Sequence, residues 1–123
     1  MHRFLAIDLG ASSGRGMLAT FESERLELDE VHRFPNGGTT VNGRLVWDIL
    51  GLFREIKTAI REATGRGIAL DGIAIDTWGV DFALLDRDGN FLGFPFHYRD
   101  LSTADVFDWL FDQVPRREIY EQT

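Results

Sequence analysis

The chain has 123 residues, the length of about one domain. It is 44% hydrophobic and 27% charged, which excludes a disordered chain. It has no cysteine, so disulfides and thiolate metal sites are excluded, and its net charge of −7 without a basic cluster argues against a nucleic-acid partner.

The opening predicts a strand over Phe4 to Ile7 that ends in Asp8, a turn from Gly10 to Gly14, and a second strand from Gly16 to Phe21. Leu26 to Phe34 alternates weakly and reads as a third strand, which Pro35-Asn36-Gly37-Gly38 breaks. Leu45-Val46-Trp47 follows an Asn42-Gly43 turn. Asp48 to Thr64 is the clearest helix. Asp48 suits its N-cap and Gly65 its stop, while Ile49, Leu52, Phe53, Ile56, Ile60 and Ala63 share one face. Ile73-Ala74-Ile75 is a buried-type strand ending in Asp76. Val80 to Leu85 and Phe91-Leu92 flank a turn at residues 86–90, which predicts a hairpin. A last helix is expected from Ser102, as cap, to about Phe111. Pro115 ends it, and a further helix begins near Arg116. The order predicts an α/β fold, a mixed sheet with flanking helices. No apolar run is long enough to cross a membrane and none reads as a signal peptide, so the expectation is a cytoplasmic chain with no membrane partner.

Asp8 and Asp76 each stand at the C-terminal tip of a predicted strand, where α/β sheets collect ligands. The Gly10-Ala11-Ser12-Ser13-Gly14 turn lets backbone N–H groups approach an anion, and the two serines add hydroxyl donors. Arg15 adds a permanent cation that fits phosphate oxygens, and Asp8 beside it could hold Mg²⁺ through water. The turn is neither a Walker loop nor a dinucleotide fingerprint, because it leads into a strand rather than a helix. Taken alone it is equally a plain strand connection.

A second cluster is Asp76, Trp78, Gly79 and Asp81. Trp78 offers an apolar face for sugar C–H groups, or is a core aromatic. Asp81 offers an acceptor for hydroxyls, or is a turn carboxylate. Continued strand alternation would put Asp76, Trp78 and Val80 on one side, and Thr77, Gly79 and Asp81 on the other. Tyr98, Arg99 and Asp100 either reach sugar hydroxyls or form a salt-bridged helix entry. Trp47 and Asp48 need only be a buried ring beside a helix cap. His2, His32 and His97 have no metal-triad spacing and read as surface or hydrogen-bonded residues.

"AIDLGASSGRGML" resembles the first phosphate loop of the actin-like ATPase superfamily, and within it the carbohydrate kinases of the FGGY family. "VHRFPNGG" (31–38), "IDTWGVDFALLDRDGNFLG" (75–93) and "HYRD" (97–100) extend the resemblance to nearly the whole chain, and the "GASSGR" form is similar to the branch that phosphorylates L-rhamnulose. The resemblance implies an RNase H-like, actin-type fold, with ATP and Mg²⁺ as cofactors and a small sugar as partner. It implies transfer of the ATP γ-phosphoryl group to a ketose. Residue by residue, it implies that Ala11, Ser12, Ser13, Gly14 and Arg15 bind ATP, that Asp8 lies near the metal, and that Gly79 contacts substrate. Trp78, Asp81, Tyr98 and Arg99 join Gly79 as substrate-side candidates.

That family has two large domains and several hundred residues, with its general-base aspartate in a later segment. Residues 1–123 are therefore expected to be a partial N-terminal domain, inactive by itself and prone to self-association through surface meant for a partner. Asp8, Asp76 and Asp81 are not assigned as the base. Three alternatives stay open: a kinase of another ketose or polyol, a non-catalytic actin-like sugar or nucleotide sensor, and, least favoured by the acidic charge balance, a two-metal RNase H-type nuclease.

Overall fold

A computed structural model describes all residues, 1–123. Strands β1 (His2–Leu9), β2 (Ser13–Glu22) and β3 (Arg25–Pro35) form an antiparallel meander. A short hairpin, β4 (Thr39–Val41) and β5 (Arg44–Val46), forms its own two-stranded sheet. Helix α1 (Ile49–Thr64) then crosses over to β6 (Gly72–Thr77), which pairs parallel to β1. The main sheet has the order β3-β2-β1-β6 and is mixed, as the element order predicted. A 3₁₀ turn (Leu101–Thr103) and the helices α2 (Val106–Gln113) and α3 (Arg116–Gln122) complete the chain. No helix is long and apolar enough to cross a membrane.

Two tight turns set the strand registers. Ser23 and Glu24 between β2 and β3 have φ of 49° and 65°, and Asn42 and Gly43 between β4 and β5 have 50° and 76°. Positive φ at both central residues matches the right-handed twist of the flanking strands.

Leu5, Ile7 and Leu9 alternate along β1 and point into one core with Phe34, Trp47, Leu52, Ala59 and Ala63. Helix α1 lies over β1, β2 and β3. Small residues permit its close approach: a Cβ on Gly16 would stand 2.9 Å from the Ala59 Cβ. Asp48 caps the helix as expected, its carboxylate accepting the Gly51 N–H at 2.9 Å.

Four expectations need correction. Phe53 is not on the buried face of α1. It is 57% exposed with Lys57 over its ring, because it lies roughly 100° around the helix from the buried stripe of Leu52, Ala59 and Ala63. Val80 to Leu85 and Phe91-Leu92 are not strands. Only a single Leu85–Phe91 bridge forms, beside a turn in which Asp86 accepts the Asp88 and Asn90 N–H groups. The turn chemistry was right, but no neighbouring strand extends the ladder. The helix expected from Ser102 begins at Val106, since the Asp100 carboxylate caps a 3₁₀ turn at Ser102 instead. Ile73-Ala74-Ile75, expected as a buried-type strand, forms the edge strand β6, and Ile73 and Ile75 are half exposed because α1 packs over β1 to β3.

Candidate functional site

β1 and β2 meet at a connection shorter than predicted. The loop is Gly10-Ala11-Ser12, and Ser13 already belongs to β2. Gly10 donates its N–H to the Ser13 carbonyl at 3.0 Å. The N–H groups of Ala11 and Ser12 donate to nothing within the chain. Unpaired amides at a tight turn form a concavity suited to an anion. Gly14 also serves packing: a Cβ there would stand 2.1 Å from the Phe34 ring. Its place in the phosphate-loop stretch therefore has a reason in the core.

Parallel pairing puts Asp8 and Asp76 side by side at the tips of β1 and β6. This is the strand-tip placement that the sequence pointed to. Asp8 faces Arg15 across the β1–β2 pair, and Arg15 Nε donates to Asp8 Oδ2 at 2.9 Å. The two half-exposed side chains neutralise one another. Arg15 is thus a cation already shared with Asp8, and an arriving anion or cation would redistribute that pair. No three carboxylate or imidazole side chains gather to hold a metal.

The second cluster is built on Trp47. Its ring is buried between Trp78, at 3.8 Å and 15°, and His97, at 3.9 Å and 21°. Its Nε1–H donates to Asp81 Oδ2. The chain leaves β6 at Thr77, so strand alternation does not continue, and Trp78 and Asp81 both meet the same ring. One face of Trp78 is therefore covered by the Trp47 ring. Tyr98 tilts against His97, and Arg99 lies over the Tyr98 ring. His97 is buried, and its Nδ1 accepts the Arg99 N–H at 3.0 Å. Burial pushes its pKa below the ordinary value, with Asp81 opposing and Arg99 reinforcing the shift.

Asp81, His97, Tyr98 and Asp100 line a cleft of about 760 Å³ together with Phe94 and Phe96, whereas Gly79, Trp78 and Arg99 stand outside it. Asp100 is the salt-bridged helix entry. Arg44 Nη2 lies 2.9 Å from its carboxylate, which also accepts the Leu45 N–H at 2.7 Å. Hydrogen bonds from Ser102, Leu45 and Arg44 hold it well below the usual carboxylate range. A Cβ added to Gly79 would meet nothing within 4 Å, so the packing of this chain does not demand a glycine there. His32 pairs with Glu55 at 2.8 Å, and His2 stands exposed near Asp71.

Sequence reasoning missed two residues. Trp47 read as a core ring, yet its indole N–H is what fixes Asp81. Asn36 read as part of a strand-breaking turn, yet it reaches the phosphate-loop stretch.

No protein-family model matches the chain. A rhamnulokinase of Bacteroides thetaiotaomicron is 44% identical over 120 residues, which is 98% of this chain and 25% of that protein. A xylulose kinase from Lactobacillus acidophilus superposes with a TM-score of 0.74 at 15% identity, over 98% of this chain and 24% of that one. A Plasmodium falciparum glycerol kinase with ADP gives 0.74 at 16% identity, over 97% and 24%. The chain spans about a quarter of the length of these relatives. It is homologous to that rhamnulokinase along nearly all its residues, and its fold is the actin-like α/β arrangement of the carbohydrate kinases, as the sequence motifs implied.

Proposed function

We propose that the chain is the phosphate-loop segment of an FGGY-family carbohydrate kinase that transfers the ATP γ-phosphoryl group to L-rhamnulose, giving L-rhamnulose 1-phosphate. The observation that carries the reading is the 44% identity to a rhamnulokinase over 98% of the chain. The motifs "GASSGR", "VHRFPNGG" and "HYRD" point the same way from the sequence.

When bound, Mg·ATP supplies the transferred group. The turn suits its phosphates, because the Ala11 and Ser12 amides are free and Ser12 and Ser13 add hydroxyl donors. In this reading Ala11, Ser12, Ser13 and Gly14 line the phosphate side. Arg15 would add positive charge beside the phosphate oxygens, and Asp8 would help to hold Mg²⁺, which would neutralise phosphate charge.

On the sugar side, Asp81 has one oxygen on Trp47 and keeps Oδ1 to accept a hydrogen bond from a sugar hydroxyl. Tyr98 and Arg99 reach further hydroxyls. Trp78 presents its uncovered face. Gly79 gives the sugar access to backbone, consistent with the open space beside it. The base that takes the hydroxyl proton is assigned to a segment outside residues 1–123, so the isolated chain is inactive.

The test is ADP release from Mg·ATP by the protein at its full natural length, with L-rhamnulose, L-fuculose, D-xylulose, L-ribulose and glycerol in parallel. Turnover on L-rhamnulose far above the others is the expected result, with none from residues 1–123 alone. Preference for another sugar would keep the kinase and discard the substrate. No turnover on any would overturn the reading.

A further inference from the structure

Segment 35–38 touches the phosphate loop at two points, both through Asn36. Its backbone N–H donates to the Ser12 carbonyl at 3.0 Å, and its side-chain Nδ2 donates to the Gly10 carbonyl at 2.7 Å. Facing a carbonyl, the side-chain amide must present its nitrogen, so the orientation is fixed by chemistry.

All peptide bonds in the chain are trans. In a trans peptide the N–H points opposite to the preceding C=O. A Gly10 carbonyl held on Asn36 therefore turns the Ala11 N–H away from Asn36. A Ser12 carbonyl held there turns the Ser13 N–H away likewise. Asn36 fixes two peptide planes of a three-residue loop, and with them the direction of the donors that an anion would meet.

The loop has little else to hold it. Gly10 contributes one backbone bond to Ser13, and Ala11 has none. Without the side-chain bond the Gly10–Ala11 plane is free to rotate. Its carbonyl could then face an incoming phosphate, which repels it.

We propose that Asn36 is a positioning residue for nucleotide phosphates: it orients the loop amides and touches neither phosphate nor sugar. The inference rests on the kinase reading for the identity of the anion, and on the two hydrogen bonds for the role.

The experiment uses the protein at its full natural length and the variants Asn36→Ala and Asn36→Asp. Both keep the backbone bond to Ser12 and remove only the side-chain donor. Asp keeps the shape but sets a carboxylate oxygen against the Gly10 carbonyl. The readouts are Mg·ADP affinity by calorimetry, KM for ATP and for sugar, and thermal midpoint. Loss of one such hydrogen bond corresponds to about a tenfold weaker Kd and a matching rise in KM for ATP. The effect in Asn36→Asp is at least as large as in Asn36→Ala, while sugar KM and the midpoint stay near wild type. Unchanged ADP binding in both variants would overturn the proposal. So would a parallel loss of ADP affinity, sugar KM and midpoint, which would make Asn36 a general structural residue. A wild-type protein that binds Mg·ADP but phosphorylates no sugar would remove the kinase reading and leave Asn36 to be judged by the ADP ratios. One that binds no nucleotide would remove both.

Discussion

At the scale of single residues, His97 has its protonation fixed by its neighbours. The Arg99 N–H donates to Nδ1, so that nitrogen carries no proton, and the ring is buried against Trp47. Burial lowers its pKa from the ordinary 6.5. The folded state therefore binds fewer protons than the unfolded state once the pH drops into the histidine range. The stability associated with neutral His97 is complete above about 6.5 and declines as the pH falls below it. NMR titration of the ring protons should give His97 a midpoint below 6.5, with unfolding free energy decreasing from there toward acid. A midpoint above 6.5 would mean that the carboxylate of Asp81 outweighs burial, and stability would then rise on acidification instead.

At the scale of elements, α1 depends on a cap that the sequence announced. Asp48 accepts the Gly51 N–H, one of the four amides that the first turn leaves unpaired. Replacing it with Ala should cost about 1 kcal/mol in denaturant unfolding, and Asn should recover most of that. A null effect of Asp48→Ala would show that solvent satisfies the amide as well as the side chain does. The elements legible in the sequence are those with local causes. The cap, the helical period, the strand-breaking turn at Pro35 and the acidic strand tips all follow from neighbours in the chain. The elements misread depend on distant partners. Residues 80–85 are apolar enough for a strand, but no strand lies beside them to pair. Phe53 falls at the margin of the helical period, and which side the sheet covers, the stripe of Leu52, Ala59 and Ala63, is set by strands distant in sequence. In the candidate site, the loop and the carboxylates were visible because they are contiguous or at strand ends. The bonds from Asn36 to Gly10 and from Trp47 to Asp81 span 26 and 34 residues, and no local pattern encodes them.

At the scale of the molecule, the surface is too large for the mass. A 14.0 kDa folded monomer is expected to expose about 6,700 Å², while this chain exposes 9234 Å². The excess, roughly 2,500 Å², is the size of an obligate interface. Its location follows from the sheet. β3 closes one edge and carries Glu27, Asp29, Glu30 and Arg33, charges that discourage further pairing. β6 forms the other edge with the sequence GIAIDT, whose only charge is Asp76. Ile73 and Ile75 pair with the buried Leu5 and Ile7 and so face the same side, yet they are 48% and 52% exposed because α1 covers β1 to β3 and stops short of β6. α2 and α3 bury no residue, and leave Phe107 and Trp109 exposed. Apolar surface on this scale attached to an unpaired edge favours association. Residues 1–123 in isolation should therefore form concentration-dependent oligomers in sedimentation equilibrium, and Ile75→Lys should shift them toward monomer by charging the uncovered face beside the edge. A chain that stays monomeric at every accessible concentration would overturn this. Oligomers untouched by Ile75→Lys would move the contact to the aromatic surface of α2. In the protein at full length the same face should be covered by its own chain, so Ile75→Lys there should cost stability rather than change the oligomeric state.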